Sequence, residues 1–171
     1  GTTLSIGETE NILTHGVTVS GKTLHEHEEV HGHANALSLM AQLCKNGALC
    51  VSDIHELHHS VQTGVTRDIY APIGKWKVEA NGTRSALGNW HSYASPKDVP
   101  LLMDRWLEIF KQSVRNLKKI KAPSKLRKAC LETHSTLEIA ITRSHPYADG
   151  NGRLARNLAM IPIPAACCPP L

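Results

Sequence analysis

The sequence predicts an all-α domain with one β-hairpin inserted into it. Apolar residues recur at three- and four-residue intervals over most of the chain, the repeat of a single helix face. Several of these runs open with Ser/Thr-x-x-Glu, in which hydroxyl and carboxylate satisfy each other's free backbone N–H groups. One stretch breaks the pattern: "WKVEANGTRSAL", Trp76 to Leu87, sets an Asn-Gly pair between short alternating segments.

Taken in order, Ser5 with Glu8 opens a short first helix. Thr23 with Glu26 opens a longer one, with an apolar face read through Val30, Ala34, Leu37 and Ala41 and an end near Asn46-Gly47. Ser52 stands before a third, where Ile54, Leu57 and Val61 repeat at helical spacing. The hairpin lies between Gly74 and Tyr93, with Asn81-Gly82 as its two-residue turn. Ser95-Pro96 then joins a capping hydroxyl to a proline at the first helical position, and Leu102, Trp106, Phe110 and Val114 line one face behind it. Pro123-Ser124 starts the next helix, whose Leu126, Cys130, Leu137 and Ile141 lead directly to His145.

With 171 residues and 41% hydrophobic content, the chain suffices for one core, so residues 1–171 read as a single domain. No apolar run approaches the roughly 18 residues of a membrane span, and no secretory leader is visible. The chain starts at Gly1 rather than a methionine, which suits a fragment. Five cysteines, Cys44, Cys50, Cys130, Cys167 and Cys168, form no C-x-x-C pair and leave one over. That favours a reducing, intracellular and cytoplasmic setting over a secreted disulfide framework. Asn81-Gly82-Thr83 is a formal glycosylation acceptor that reads as a turn. Eight Lys or Arg between Lys111 and Lys128 carry most of the net charge of +4. Without interleaved aromatics they read as a solvated helix face, and no nucleic-acid or membrane partner is expected.

Two short motifs carry competing chemistry. "HEEVH", His27 to His31, matches the zinc-peptidase pattern of two histidines one turn apart with Glu28 between them. A catalytic zinc needs a third protein ligand, and the nearby His33 points to another helix face. Gly150-x-Gly152-x-x-Ala155 fits the dinucleotide fingerprint formally, yet a helix rather than a strand leads into it.

The denser constellation is "SHPYADGNGRLARN", Ser144 to Asn157. Pro146 ends the preceding helix and fixes His145 at its C-terminus. Asp149-Gly150-Asn151-Gly152 then forms a turn able to expose successive backbone N–H groups, a nest for anions at the start of a new helix. Arg153 and Arg156, three apart, are expected to reach one face and grip phosphate oxygens together. Asp149 is placed to hold a Mg²⁺ that bridges phosphates. His145, with an ordinary pKa of about 6.5, is neutral enough near pH 7 to take a proton from an attacking hydroxyl. Base, metal ligand, anion nest and charge clamp together point to phosphate-transfer chemistry.

The same residues resemble the signature of the Fic family. "HPYADGNGRLAR" is similar to His-Pro-Phe-x-Asp/Glu-Gly-Asn-Gly-Arg-x-x-Arg at every position except Tyr147, where the family has phenylalanine. "SGKTLHEHEEVHGHANAL" resembles the long helix near the start of Fic domains, and "ASPKDVPLLMDRW" the segment after the family's hairpin, so the likeness runs from Gly1 to about Met160. Residues 161–171 form an atypical tail rich in proline and cysteine.

The resemblance implies a Fic-type helical domain with a hairpin flap, and an adenylyltransferase that moves AMP from ATP to a Ser, Thr or Tyr hydroxyl of a target protein, releasing pyrophosphate. His145 would deprotonate the hydroxyl and Asp149 would ligate Mg²⁺. Gly150, Asn151 and Gly152 would cradle the α- and β-phosphates with Arg153 assisting, and Arg156 would hold the γ-phosphate. The flap would dock the target protein by strand addition. A homodimer is compatible with the resemblance.

Fic proteins are often restrained by Ser/Thr-x-x-x-Glu-Gly/Asn, which has no match here. "GTTLS" resembles the residues just after that glutamate, so the chain is expected to lack its own brake and to be constitutively active. Pro162 and Pro164 are expected to end the last helix within about two turns, where the family continues with further helices, leaving part of the core uncovered. Two other readings stand beside the transferase: a zinc peptidase through His27, Glu28 and His31, and a non-catalytic Fic-like binding module.

Overall fold

Ser5 and Thr23 both take extended backbone and accept the N–H of the residue three further on. Glu8 and Glu26 reach back to the Ser5 and Thr23 N–H groups, so both capping boxes close. The computed structural model describes residues 3–62 and 72–167; Gly1, Cys168 and the rest of the tail lie outside them. Behind the boxes run α1 (Ile6–His15) and α2 (Leu24–Asn46), ended by Gly16 and Gly47 in the left-handed region. Glu26 also receives the Thr3 N–H at 2.9 Å. The backbone N–H of Thr23 is the chief cause holding its carboxyl down at about 2.

The expected stripe on α2 is corrected. Val30 is buried, but Leu37 is 63% exposed, and the residues buried further along are Gly32, Ala36 and Leu43. Ala36 lies roughly 120° round the axis from Val30. The helix changes partners along its length, packing against α1 near its start and against α3 and α7 elsewhere, so no single stripe runs through it.

The third helix, α3 (Val51–Gln62), starts one residue before Ser52. Asp53 reaches back to the Cys50 N–H at 2.8 Å, which puts the helix start at Cys50. Ile54, Leu57 and Val61 are all buried, as their spacing predicts.

The hairpin is present, but its turn is not Asn81-Gly82. Strands β1 (Gly82–Arg84) and β2 (Trp90–Ser92) pair antiparallel with Thr83 opposite His91. The chain reverses over Ser85 to Asn89, where the Gly88 N–H returns to the Ser85 carbonyl at 2.9 Å and Gly88 sits at φ 81°. Gly82 instead lies under Trp90, where a Cβ would meet the indole at 2.4 Å. A two-residue Asn-Gly turn loses because both residues are needed at the base of the ladder.

Ser95 makes no capping hydrogen bond with its side chain; Pro96–Asp98 form a single 3₁₀ turn before α4 (Val99–Lys119). Helix α5 (Pro123–Ser144) begins at Pro123 as expected. α6 (Asn151–Met160) stops before Ile161, and Pro162 opens a short further helix, α7 (Pro162–Cys167). The prolines therefore end one helix and start the next, since a missing N–H costs nothing in a first turn. α7 packs on α4, and Ile161, Pro162 and Ala165 are buried.

The core gathers Ile54, Leu57, Met103, Trp106, Phe110, Leu137, Ile141, Leu154 and Leu158. Each such side chain contributes about 1.5–3 kcal/mol by leaving water. Trp106 also donates its indole N–H to the Leu137 carbonyl at 3.0 Å, joining α4 to α5. The basic residues from Lys111 to Lys128 are all exposed. Among the described residues no helix is long and apolar enough to cross a membrane.

Candidate active site

Proline cannot donate the next helical hydrogen bond, so α5 stops where Pro146 stands. His145 caps it at φ 49°, ψ 62°, its N–H returning to the Ile141 carbonyl at 2.8 Å. It is the non-glycine residue with positive φ among the described residues. The ring Nδ1 lies 3.2 Å from the Thr142 carbonyl. A carbonyl only accepts, so Nδ1 carries the hydrogen and Nε2 the basic lone pair. Burial pushes the imidazole below its ordinary pKa, with the Lys77 charge acting in the same direction and the Thr142 carbonyl opposing. The ring is therefore neutral at pH 7.

The loop between α5 and α6 is fastened from several sides. Tyr147 is fully buried, and its hydroxyl shares a 2.8 Å hydrogen bond with His55 Nδ1. Asn151 clamps the loop at two points: Oδ1 accepts the Tyr147 N–H and Nδ2 donates to the Tyr147 carbonyl, each at 2.9 Å. Its amide thus holds the loop in shape, leaving the backbone N–H as the group Asn151 can offer an anion. Gly150, at φ 73°, caps the N-terminus of α6. The backbone angle calls for glycine, and a Cβ there would meet Gln62 Cδ at 2.7 Å, so a larger residue also has to displace the Gln62 amide that Arg153 holds.

Asp149 is exposed, and its carbonyl accepts from His58 Nε2 at 3.0 Å. The other His58 nitrogen accepts the Gly74 N–H at 3.0 Å. Burial pushes this histidine down to about 4, and its ring stacks on Tyr147 at 3.7 Å and 8°.

The two arginines reach one cavity, as their spacing predicts, but Arg153 is already engaged by protein acceptors while Arg156 is exposed. Arg153 turns to the end of α3, donating to the Val61 carbonyl at 3.1 Å and to Gln62 Oε1 at 2.6 Å, with Glu29 at 3.9 Å. The first of these acceptors lies in the last turn described for α3, where a guanidinium is favoured by the negative end of the helix. Arg156 is exposed and arches over the first turn of α6, its Nη1 3.7 Å from where a Gly152 Cβ would be. Both arginines line a cavity of about 370 Å³, together with His33, His134, Asn157 and Met160.

The first histidine of "HEEVH" is engaged otherwise. His27 lies 2.8 Å from the Thr23 carbonyl through Nδ1 and accepts the Val19 N–H at 3.0 Å through Nε2. With both nitrogens on backbone, it has no lone pair left for zinc, which removes the basis of the peptidase reading.

Sequence reasoning misses His58, Asn81 and Tyr93. The local pattern puts Asn81 in a turn, but its Nδ2 donates to the Tyr147 carbonyl at 3.0 Å and its Oδ1 accepts from Lys77 Nζ at 2.6 Å. Tyr93 stacks on His145. For His58 a signal exists, since it shares the apolar face of α3 with Ile54 and Val61.

A sequence profile of the Fic/DOC family matches residues 48–162. Curated relatives include a Drosophila erecta protein named "Protein adenylyltransferase Fic", 29% identical over 175 residues, and a Caenorhabditis briggsae protein named "Protein adenylyltransferase fic-1", 28% identical over 178. Each alignment takes in 100% of this chain but only 31% of the relative's length. The fold is similar to that of a Fic-domain signaling protein from Bacteroides thetaiotaomicron, with TM-score 0.73 and 30% identity over 95% of this chain and 57% of that one. It is also similar to Caenorhabditis elegans Fic-1, with TM-score 0.68 and 25% identity over 95% and 43%.

Proposed function

The chain belongs to the Fic/DOC family, and from that premise we propose that it is a protein adenylyltransferase, moving AMP from ATP to a hydroxyl of a target protein. The observation that carries the reading is His145. It is held in the tautomer a general base needs, five residues before the glycine that caps the N-terminus of α6.

In this reading the target hydroxyl gives its proton to His145 Nε2 while its oxygen attacks the α-phosphorus, and pyrophosphate leaves. The backbone N–H groups of Gly150, Asn151 and Gly152, with the positive end of α6, hold the α- and β-phosphates. Arg156 takes the γ-phosphate. Arg153, committed to α3, adds charge and holds α6 to the end of α3 rather than clamping oxygens itself. Asp149 is exposed and directly precedes the glycine that caps α6, so its carboxylate, a hard oxygen donor, would hold Mg²⁺ together with the nucleotide. When bound, that ion neutralises phosphate charge.

The target protein docks along the hairpin edge by strand addition, in an intracellular setting that the cysteine usage favours. Incubation of the chain with α-labelled ATP and a cell lysate, beside His145→Ala, tests the reading. Label on target proteins with the native chain and not with the variant is expected; equal labelling overturns the base assignment. Failure to bind Mg·ATP replaces the enzyme by a non-catalytic binding module.

A further inference from the structure

The base is held by one hydrogen bond on its own helix. His145 sits at a left-handed C-cap with Nδ1 3.2 Å from Thr142, and a ring fixed at a single edge can swing about that edge. The hairpin supplies the second restraint. Immediately after β2, Tyr93 lies flat against the imidazole, with ring centroids 3.8 Å apart and planes 6° apart. His91 meets Tyr93 edge-on at 5.3 Å.

Tyr93 is itself fixed to the base of the hairpin and through it to the loop after His145. Its N–H donates to the Asn81 carbonyl at 3.1 Å, and Asn81 donates to the Tyr147 carbonyl at 3.0 Å. The Lys77 N–H donates to the Pro146 carbonyl at 2.9 Å. Hairpin and base therefore share one bonded frame, joined directly by the stacked pair.

We propose that Tyr93 is a positioning residue: by covering one face of His145 it fixes the ring plane and the aim of Nε2, and it couples the base to the hairpin edge. A polypeptide segment ordering that edge acts on the base through Tyr93. The inference rests on the AMP-transfer reading for its kinetic consequence and on geometry alone for the stack.

The test uses the full chain with Tyr93→Phe, which keeps an aromatic face, and Tyr93→Leu, which removes it. Three quantities are measured: the His145 ring proton shifts by NMR, the dissociation constant of Mg·ATP, and the kcat and KM of target labelling. The aromatic ring is expected to hold the His145 protons upfield in the native chain and in Tyr93→Phe, and not in Tyr93→Leu. Nucleotide affinity should stay within about twofold while kcat falls on the order of tenfold or more in Tyr93→Leu, as misaligned bases do, and is rescued by Tyr93→Phe. The proposal is overturned by unchanged His145 shifts in Tyr93→Leu, by an unchanged kcat, or by an equal loss in both variants. If the native chain transfers no label, the transferase reading fails, and the NMR comparison still decides the stack.

Discussion

Tyr147→Phe separates the two ways this side chain can hold the signature loop. The ring is fully buried, stacked on His58 at 3.7 Å and close to Trp76 at 5.0 Å. The hydroxyl pairs with His55 Nδ1 at 2.8 Å. Phenylalanine keeps the ring and its burial and loses only the hydrogen bond, a net contribution of about 0.5–1.5 kcal/mol. The cost should fall near the middle of that range, because His55 is only half-buried and its nitrogen can turn to water. Tyr147→Ala, by contrast, also loses the packing and should cost about 3–5 kcal/mol. Urea unfolding followed by circular dichroism gives both numbers, provided the slope is unchanged. A double-mutant cycle with His55→Ala should return a coupling of about 1 kcal/mol. Zero coupling, or a loss above about 3 kcal/mol for Tyr147→Phe, would refute the division between ring and hydroxyl.

Gly150→Ala forces alanine into the left-handed region, at about 1–2 kcal/mol, and drives its Cβ into Gln62, so both a lower unfolding midpoint and loss of nucleotide binding are expected. Thr23→Ala opens the capping box of α2 and should cost about 1 kcal/mol in thermal or urea unfolding. His58 is held near 4 in the fold against about 6.5 unfolded, so the unfolded chain binds the extra proton. Stability of the nucleotide-free protein should then fall as pH drops from about 6.5 towards 4, by roughly 3 kcal/mol in all, and a flat profile for this step in His58→Gln would assign it. For His145 the direction is the same, so the acid limb of kcat/KM should have its midpoint below 6.5; a midpoint above that value contradicts a half-buried neutral base.

Local chemistry is enough for the helices that announce themselves. Ser5-Glu8 and Thr23-Glu26 cap where they stand in the sequence, and Pro146 stops α5 at His145. Such signals act over three or four residues, so they survive whatever the rest of the chain does. The signature "HPYADGNGRLAR" is legible for the same reason: helix end, turn and helix start are consecutive, and backbone rules alone bring His145 and Gly150 together.

Features that depend on distant partners cannot be read this way. Leu37 and Val30 share a helical face in the sequence, but α2 meets different helices along its length, and Leu37 is left in water. Asn81-Gly82 has the strongest local turn signal in the chain, yet Tyr147, 66 residues away, claims the Asn81 amide and Trp90 lies over Gly82. Spacing pairs Arg153 with Arg156, and both do line one cavity, but the Val61 carbonyl and the Gln62 amide, some ninety residues away, hold the Arg153 guanidinium. The order of elements, the break at His145 and the glycine-rich turn were thus legible from the chain alone, because each is a bond between near neighbours. That Tyr93 covers the base, that His58 holds Asp149 and which arginine faces outward came from the fold, because those are choices among partners that meet only when the chain has folded.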